Sequence, residues 1–288
     1  MGEWTSRYNP RICFLSEFLL AMKMHVVLVL TALAISSQDG TAADSASRPL
    51  RVLLITGGCC HDYARQKDLL KKGLEARAHV RVDQFHSDDR STRARFPIYR
   101  KLDWADGYDA VIHDECSPDV KDLSYVRNIL EAHRKVPAVN LHCAMHSYRT
   151  GTDDWIKFVG IQSTSHGPQA PIAVHYAGAD HPVTNGLGSW TATRDELYNN
   201  VRVLDTTRAL AWGGQTVEDR NGVKRVEESV VAWVSEHGDT RVFSTTLGHS
   251  NETVADDRYL DLVTRGLLWA VGKLDPRYLR TPGAARKP

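Results

Sequence analysis

The chain has 288 residues, of which 42% are hydrophobic and 25% are charged, so its length and composition allow one or two globular domains. Lysine and arginine together number 36 and aspartate and glutamate 35, which gives a formal net charge of +1. Because the chain has neither a basic excess nor a basic stripe interleaved with aromatic residues, nucleic-acid binding is disfavoured.

The amino-terminal region has the pattern of a secretory signal peptide. Met22–Met24 include a positive charge, Val26–Ile35 are apolar, and Thr41–Ala43 are small residues of the kind that precede a cleavage site. The apolar run is too short to span a bilayer comfortably, so no stable membrane span is expected. We predict a signal peptide region over residues 1–43, with Met22 or Met24 as the true start, and a secreted or periplasmic protein; a long signal or a membrane anchor is the alternative.

Strands and helices alternate through the first half of the mature chain. Tyr63–Ala76 has the periodicity of a helix, and Ser117 followed by Pro118 predicts the start of a second helix. This alternation predicts an α/β fold with a doubly wound, mostly parallel sheet. The predicted buried strands are Arg51–Thr56, Val80–Phe85, Asp109–His113 and Ala138–Leu141.

The second half of the chain is richer in strands. Asn221-Gly222 is a turn signal, so an additional β-hairpin is expected there. A last helix begins near Asp256 and carries an apolar stripe. No linker rich in glycine, serine or proline divides the chain, so residues 44–288 are expected to form a single domain. The predicted strands are Pro171–Tyr176, Val201–Trp212, Glu228–Ser235 and Arg241–Leu247.

Histidines stand at the ends of several predicted strands. An open α/β sheet binds its ligand at the carboxyl ends of its strands, so these side chains are expected to share one pocket. Imidazole can ligate a metal or transfer a proton near neutral pH. The six residues are His61, His113, His142, His146, His166 and His249.

A divalent metal is one expectation for this pocket. His142 and His146 are four residues apart, a spacing that suits two ligands on a helix, although the glutamate of an HExxH pattern is missing. We expect His142, His166 and His249 to hold zinc, manganese or iron; the alternative is that these histidines bond to backbone groups. No GxGxxG or Walker pattern is present, so no nucleotide is expected.

Acid and base groups follow the third predicted strand. Strand alternation sends Asp114 to the face opposite His113 and Glu115. Glu115 is the preferred general acid or base, and His61 and His146 are further catalytic candidates, whereas His113 is expected to contact substrate. An exposed loop carboxylate is the alternative for Glu115.

Cys143 lies on a predicted strand-to-helix turn, where a nucleophile would be exposed. The glycines that usually flank such a turn are missing, so Cys143 is either a nucleophile or a small packing residue. The other cysteines are Cys59, Cys60 and Cys116. In an exported protein, these residues and Cys143 could be free thiols or could form one bridge between strand-end loops. A bridge between the adjacent Cys59 and Cys60 would form a strained ring.

Polar residues elsewhere could hold a hydroxyl-rich ligand. Asn251 offers both donor and acceptor groups. Glu196 and Tyr198 add a carboxylate and a phenol, and Tyr148 and Arg149 are the remaining candidates for substrate contact.

Several motifs together resemble the trehalose-utilisation (ThuA-like) family, over roughly Arg51 to Leu274. The most specific stretch begins at Thr245. The matching segments are Leu54–Gly58 with His61–Tyr63, Val111–Cys116, Leu141–His146 with Tyr148-Arg149, His166-Gly167, His181-Pro182, Asp195–Tyr198, Thr245–His249 with Asn251–Thr253, Tyr259-Leu260 and Arg265–Trp269.

The resemblance implies a class I glutamine amidotransferase-like, flavodoxin-like fold and a role in sugar metabolism, without the Cys-His-Glu chemistry of the amidotransferases. We therefore expect an exported enzyme that processes (3-keto-)glycosides or disaccharides by metal- or His/Glu-assisted elimination or hydrolysis. Two alternatives stay open: a non-catalytic protein that binds carbohydrate or a partner, and an amidase or hydrolase that depends on Cys143.

Overall fold

A computed structural model describes residues 48–177 and 180–280. The signal peptide predicted over residues 1–43 lies outside this range. Eleven strands and five α-helices are named here in chain order. The strands are β1 (Leu50–Gly58), β2 (Val80–Ser87), β3 (Ala110–Cys116), β4 (Ala138–Leu141), β5 (Ile161–Gln162), β6 (His166–Tyr176), β7 (Trp190–Tyr198), β8 (Arg202–Val203), β9 (Arg208–Glu218), β10 (Lys224–His237) and β11 (Thr240–Thr245). The helices are α1 (Tyr63–Arg77), α2 (Leu123–Ala132), α3 (Asp154–Val159), α4 (Asn251–Ala255) and α5 (Asp257–Ala270).

Nine strands form one mixed sheet, in the order β2-β1-β3-β4-β11-β10-β9-β6-β7. The neighbours from β2 to β11 pair in parallel, whereas those from β11 to β7 pair in antiparallel. The predicted α/β fold with a parallel sheet is confirmed. The antiparallel part is larger than the one predicted hairpin, because β6 and β7 extend the sheet beyond β9.

Both faces of the sheet are covered by apolar side chains, as expected for a doubly wound fold. Val52 and Leu54 of β1 belong to a core that includes side chains of α1 and α5. The alternate residues Leu53 and Ile55 belong to a second core that includes side chains of α2 and α3. Successive side chains of β1 therefore pack into the two cores in turn. This packing holds the parallel strands in place, and their carboxyl ends meet at one edge of the sheet.

The second helix begins later than predicted. α2 starts at Leu123, and its cap is Asp122, whose carboxylate accepts from the backbone N–H of Tyr125. The predicted cap, Ser117, is buried and donates its hydroxyl to the carbonyl of Ala94. The prediction at Ser117-Pro118 was wrong because this hydroxyl is used by another segment, and an aspartate caps the helix instead.

The predicted strand Val201–Trp212 is divided in the structure. β8 ends at Val203, and Thr207 then donates to the carbonyl of Gly160 before β9 begins. The hairpin predicted from Asn221-Gly222 is confirmed between β9 and β10, where Asp219 accepts from the N–H groups of Asn221 and Val223. Within residues 48–177 and 180–280, no helix combines the length and apolar character needed to cross a membrane.

Replacing Gly266 with alanine is expected to lower the free energy of unfolding by about 1–3 kcal/mol, since it overpacks the core. A Cβ at Gly266 would lie 2.4 Å from the ring of Phe243 on β11. Gly188→Ala is the matched control, because a Cβ there meets nothing within 4 Å. Urea unfolding of the two variants checks this, and equal midpoints would contradict the packing of α5 on β11.

Candidate functional site

Three histidines from separate strand ends converge at the carboxyl edge of the sheet. His61 follows β1, His142 follows β4 directly, and His249 follows β11. Their rings lie 4.6 Å (His61–His142), 4.8 Å (His61–His249) and 5.4 Å (His142–His249) apart between centroids. One nitrogen from each lies within 4.8 Å of the others, which is close enough for all three to reach a single ion. We call these three residues the histidine cluster.

The turns that carry this site have unusual backbone conformations. Within the described parts of the chain, the non-glycine residues with positive φ are Cys60 (81°), His142 (43°) and Tyr148 (55°). Such conformations cost on the order of 1–3 kcal/mol each and persist where surrounding contacts impose them, often at functional sites. Here they aim His61 and His142 toward each other.

His142 is held in one orientation and one tautomer. Its Nδ1 lies 2.6 Å from the carbonyl oxygen of Thr246, an acceptor, so Nδ1 carries the proton and donates. Its Nε2 is therefore unprotonated in the neutral ring, and the hydroxyl of Tyr198 approaches this atom at 3.3 Å. A carbonyl that fixes the far nitrogen in this way is typical of metal-ligating histidines.

Glu196 on β7 faces the histidine cluster. Its Oε2 lies 3.6 Å from His142 Nε2 and 3.3 Å from His249 Nδ1. Burial raises the pKa of Glu196, but the close approach of the His142 and His249 rings outweighs burial and lowers it overall. Asp195 beside it is fully buried and accepts from the backbone N–H groups of Gly248 and His249, which fixes the His249 loop.

The cluster histidine His61 is neutral. Burial, reinforced by the like charges of His142 and His249, lowers the pKa of His61 to about 2. Its Nδ1 is buried and has no hydrogen-bond partner in the described structure. A buried nitrogen without a partner is costly, so it points to a group that binds there. His61, predicted as a catalytic base, thus takes the place in the cluster that the sequence assigned to His166.

His166 lies beside the cluster and remains accessible. It begins β6, and 43% of its side chain is exposed. Its Nδ1 donates to the carbonyl of Gly167 at 2.9 Å and lies 3.6 Å from Glu196 Oε2. His166, expected as a metal ligand with His142 and His249, is not one of the three histidines whose nitrogens lie within 4.8 Å of one another.

His146 belongs to the wall of the site. Its ring stacks on Tyr198 at 4.0 Å between centroids, and its Nε2 bonds the hydroxyl of Ser163 at 2.7 Å. Burial, with a smaller contribution from the charge of Arg149, lowers the pKa of His146 to about 3, so the ring is neutral. Arg149 donates to the carbonyl of His146 and helps to line an adjoining cavity of about 290 Å³, together with Tyr148 and Ser163.

Glu115 and His113 lie in a sealed network apart from the histidine cluster. Both are completely buried, and Glu115 Oε1 accepts from Tyr99 and Tyr148 at 2.8 and 3.1 Å. Glu115 Oε1 and His113 Nδ1 are 2.8 Å apart, and His113 Nε2 contacts His133 Nε2 at 2.7 Å. Because β3 continues to Cys116, Glu115 and His113 lie inside the core and not at the strand end where the sequence placed them, whereas Tyr148 also lines the cavity described above.

Cys143 is joined to Cys116, and Cys59 to Cys60, as disulfides. The bridge between strand ends is one arrangement that the sequence left open, whereas the bridge within the adjacent pair is one that it disfavoured. In this form Cys143 has no thiolate, so it cannot act as the predicted nucleophile.

Asn251 is the first residue of α4 and lies near the cluster's rim. Its amide donates to Asp62, and its Oδ1 is buried without a hydrogen-bond partner in the described structure. Thr246 and Gln66 could not be found from the sequence, because each acts through a backbone contact. Gln66 donates to the carbonyl of His249 at 2.9 Å, and the carbonyl of Thr246 lies at His142 Nδ1.

Comparisons with known proteins agree with this architecture. The family model described as ThuA, trehalose utilisation, matches residues 51–270. A protein described as ThuA-like from Parabacteroides merdae is 22% identical, with a TM-score of 0.62 over 78% of this chain and 91% of that chain. A cytoplasmic protein from Salmonella typhimurium is 12% identical, with a TM-score of 0.53 over 81% of this chain and 100% of that chain. A comparison with curated proteins finds no match. At these identities the solved structures establish the α/β fold alone.

Proposed function

The chain belongs to the ThuA family, and on this premise we propose that it is an exported sugar-processing enzyme that acts on 3-keto-glycosides. The observation that carries the proposal is the histidine cluster with Glu196 at the carboxyl edge of the sheet, where His61 also lines a small cavity of about 110 Å³. The two disulfides support export, since such bonds persist in oxidising compartments.

A divalent metal fits the histidine cluster. Catalytic zinc sites use three protein ligands and keep one position open, and His61, His142 and His249 offer three nitrogens. The unpartnered Nδ1 of His61 and the fixed tautomer of His142 support this assignment. When bound, such an ion supplies a Lewis acid for the ketone oxygen of the sugar.

His166 is suited to move a proton. Because its Nδ1 donates to Gly167, its Nε2 carries a lone pair, and the exposure of the ring allows contact with substrate. Glu196 Oε2 lies 3.6 Å from His166 Nδ1 and would stabilise the imidazolium once His166 gains a proton.

The proposed reaction is an elimination. The ketone at C3 acidifies the hydrogen on C2, and His166 removes this proton while the C2–H electrons form an enolate. The electrons then form the C1–C2 double bond, the C1–O bond breaks, and the leaving oxygen receives the proton from His166. Addition of water to C1 would complete a net hydrolysis.

We expect the wild-type protein to release 4-nitrophenol from a 4-nitrophenyl 3-keto-glucoside. We also expect it to hold about one equivalent of zinc, manganese or iron, because three histidine nitrogens form one metal site. Absorbance and elemental analysis before and after chelation measure the two results. Thermal stabilisation by the glycoside without release would instead support a carbohydrate-binding protein. Release of 4-nitrophenol by protein that holds no metal would instead indicate that His166 and Glu196 act by acid–base chemistry alone.

A further inference from the structure

Four cysteines lie together directly beneath the histidine cluster. Cys59–Cys60 and Cys116–Cys143 are the two disulfides, and the sulfurs of Cys59 and Cys116 are only 3.4 Å apart. We call these four residues the cysteine cluster. Two disulfides in contact allow exchange between them, because exchange needs only a thiolate beside a disulfide sulfur.

The cysteine cluster is open to solvent at one end. Cys60 is exposed, whereas Cys59, Cys116 and Cys143 are 5%, 2% and 6% exposed. An external thiol can therefore reach the Cys60 sulfur, while the Cys116–Cys143 bond is shielded. From the surface inward, the sulfurs follow the order Cys60, Cys59, Cys116 and Cys143.

The cysteine cluster is also joined to the proposed active site. Cys60 precedes His61, and Cys143 follows His142 in the chain. A nitrogen of His61 and the sulfurs of Cys116 and Cys143 lie within 4.8 Å of one another. A change of bonding in the cysteine cluster would therefore affect His61 and His142, two of the three residues of the histidine cluster.

We propose that the cysteine cluster is a thiol–disulfide exchange site, at which an external dithiol reduces the protein through Cys60 and frees the Cys143 thiol beside His61. This site is separate from the sugar chemistry proposed above. In the reduced state of this site, Cys143, which is a nucleophile candidate in the sequence, would have a free thiol.

The exchange balances as a two-electron reduction. A thiolate of the dithiol attacks Cys60 Sγ, the Cys59–Cys60 bond breaks, and Cys59 leaves with the electron pair. Cys59 then attacks Cys116 Sγ, the Cys59–Cys116 bond forms, and Cys143 leaves as a thiolate that takes a proton. The second thiol of the reductant displaces Cys60, which gains a proton, and the reductant leaves as a disulfide.

The freed Cys143 sulfur would offer a soft ligand beside His61, because a nitrogen of His61 lies within 4.8 Å of it. Thiolates favour zinc and monovalent copper over harder ions. Reduction is therefore expected to shift the metal preference of the site, a consequence that rests on the proposed function. The exchange itself does not, so the two proposals can fail separately.

Disulfide mapping tests the exchange directly. The oxidised full chain is treated with one equivalent of dithiothreitol, trapped with N-ethylmaleimide at low pH, digested without reduction and analysed by mass spectrometry. We expect label on Cys60 and Cys143 in equal amounts, with a Cys59–Cys116 link. Label on Cys59 and Cys60 with Cys116–Cys143 intact would overturn the proposal, as would four free thiols before reductant is added.

Two variants separate the exchange from direct reduction. In Cys59→Ser the attacking sulfur is missing, so labelling of Cys143 should slow by about tenfold or more. In Cys60→Ser the Cys59 thiol is free from the start, so Cys143 should be labelled without any reductant. Circular dichroism confirms that each variant is folded. If Cys59→Ser does not fold, Cys60→Ser decides, and absence of label on Cys143 there would overturn the exchange.

Discussion

Replacing His61 with alanine is expected to lower turnover of a 4-nitrophenyl 3-keto-glucoside on the order of 10²- to 10³-fold, the loss typical when one group that stabilises developing negative charge is removed. His61 contributes one of the three nitrogens that converge at the sheet edge, and its buried Nδ1 has no partner in the described structure. Its removal leaves two ligands, which bind a divalent ion more weakly than three. Metal content should therefore fall together with turnover, and the rate of 4-nitrophenol release and elemental analysis measure the two.

His175→Ala is the matched control for this experiment. His175 lies on β6 of the same sheet, and its side chain is 48% exposed and pairs with Glu228 on β10, away from the histidine cluster. We expect turnover and metal content to be unchanged. Equal turnover in the His61 and His175 variants would contradict the assignment of the active site to the histidine cluster. A thermal melt of each variant separates loss of chemistry from loss of fold.

The parallel half of the fold could be predicted because its local signals agree. Short apolar runs alternate with amphipathic segments, and this pattern has few solutions other than a doubly wound sheet. The antiparallel half was harder to predict, since strands β6 and β7 join the sheet through pairings that local sequence does not specify. The position of Glu196 opposite the histidine cluster depends on those pairings, so the sequence indicated its chemistry and not its place.

The strand-end rule located His142 and His249 correctly and failed for Glu115. The rule requires knowledge of where a strand ends, and the apolar run that predicts β3 stops at His113. In the structure β3 continues for three more residues to Cys116, and Glu115 Oε1 accepts from Tyr99 and Tyr148 inside the core, while its Oε2 has no hydrogen-bond partner in the described structure. Polar residues inside a strand that satisfy each other cannot be distinguished from a loop by composition alone.

The choice between His61 and His166 for the histidine cluster depends on loop conformation. Cys60 adopts a positive φ, which non-glycine residues rarely do, and this turn brings His61 over His142. No residue preference in the sequence predicts such a turn at a cysteine.

A pair of identical substitutions distinguishes the two buried glutamates. Glu115→Gln is expected to lower the free energy of unfolding by about 3–5 kcal/mol, because it removes the charge from a completely buried network that includes His113, Tyr99 and Tyr148. Turnover per folded molecule should be unchanged, since Glu115 has no access to substrate. Urea unfolding and 4-nitrophenol release measure the two quantities.

Glu196→Gln is expected to show the opposite behaviour. Glu196 lies beside His142, His249 and His166, so loss of its charge should lower turnover by about 10- to 100-fold, as for other groups that orient metal-binding and proton-transferring histidines. Stability should change less than in Glu115→Gln, because two of these contacts are 3.6 Å long and none of the three has hydrogen-bond geometry close to ideal. If Glu115→Gln abolished turnover in the folded protein while Glu196→Gln did not, the acid–base group would be Glu115, and the reaction would not take place at the histidine cluster.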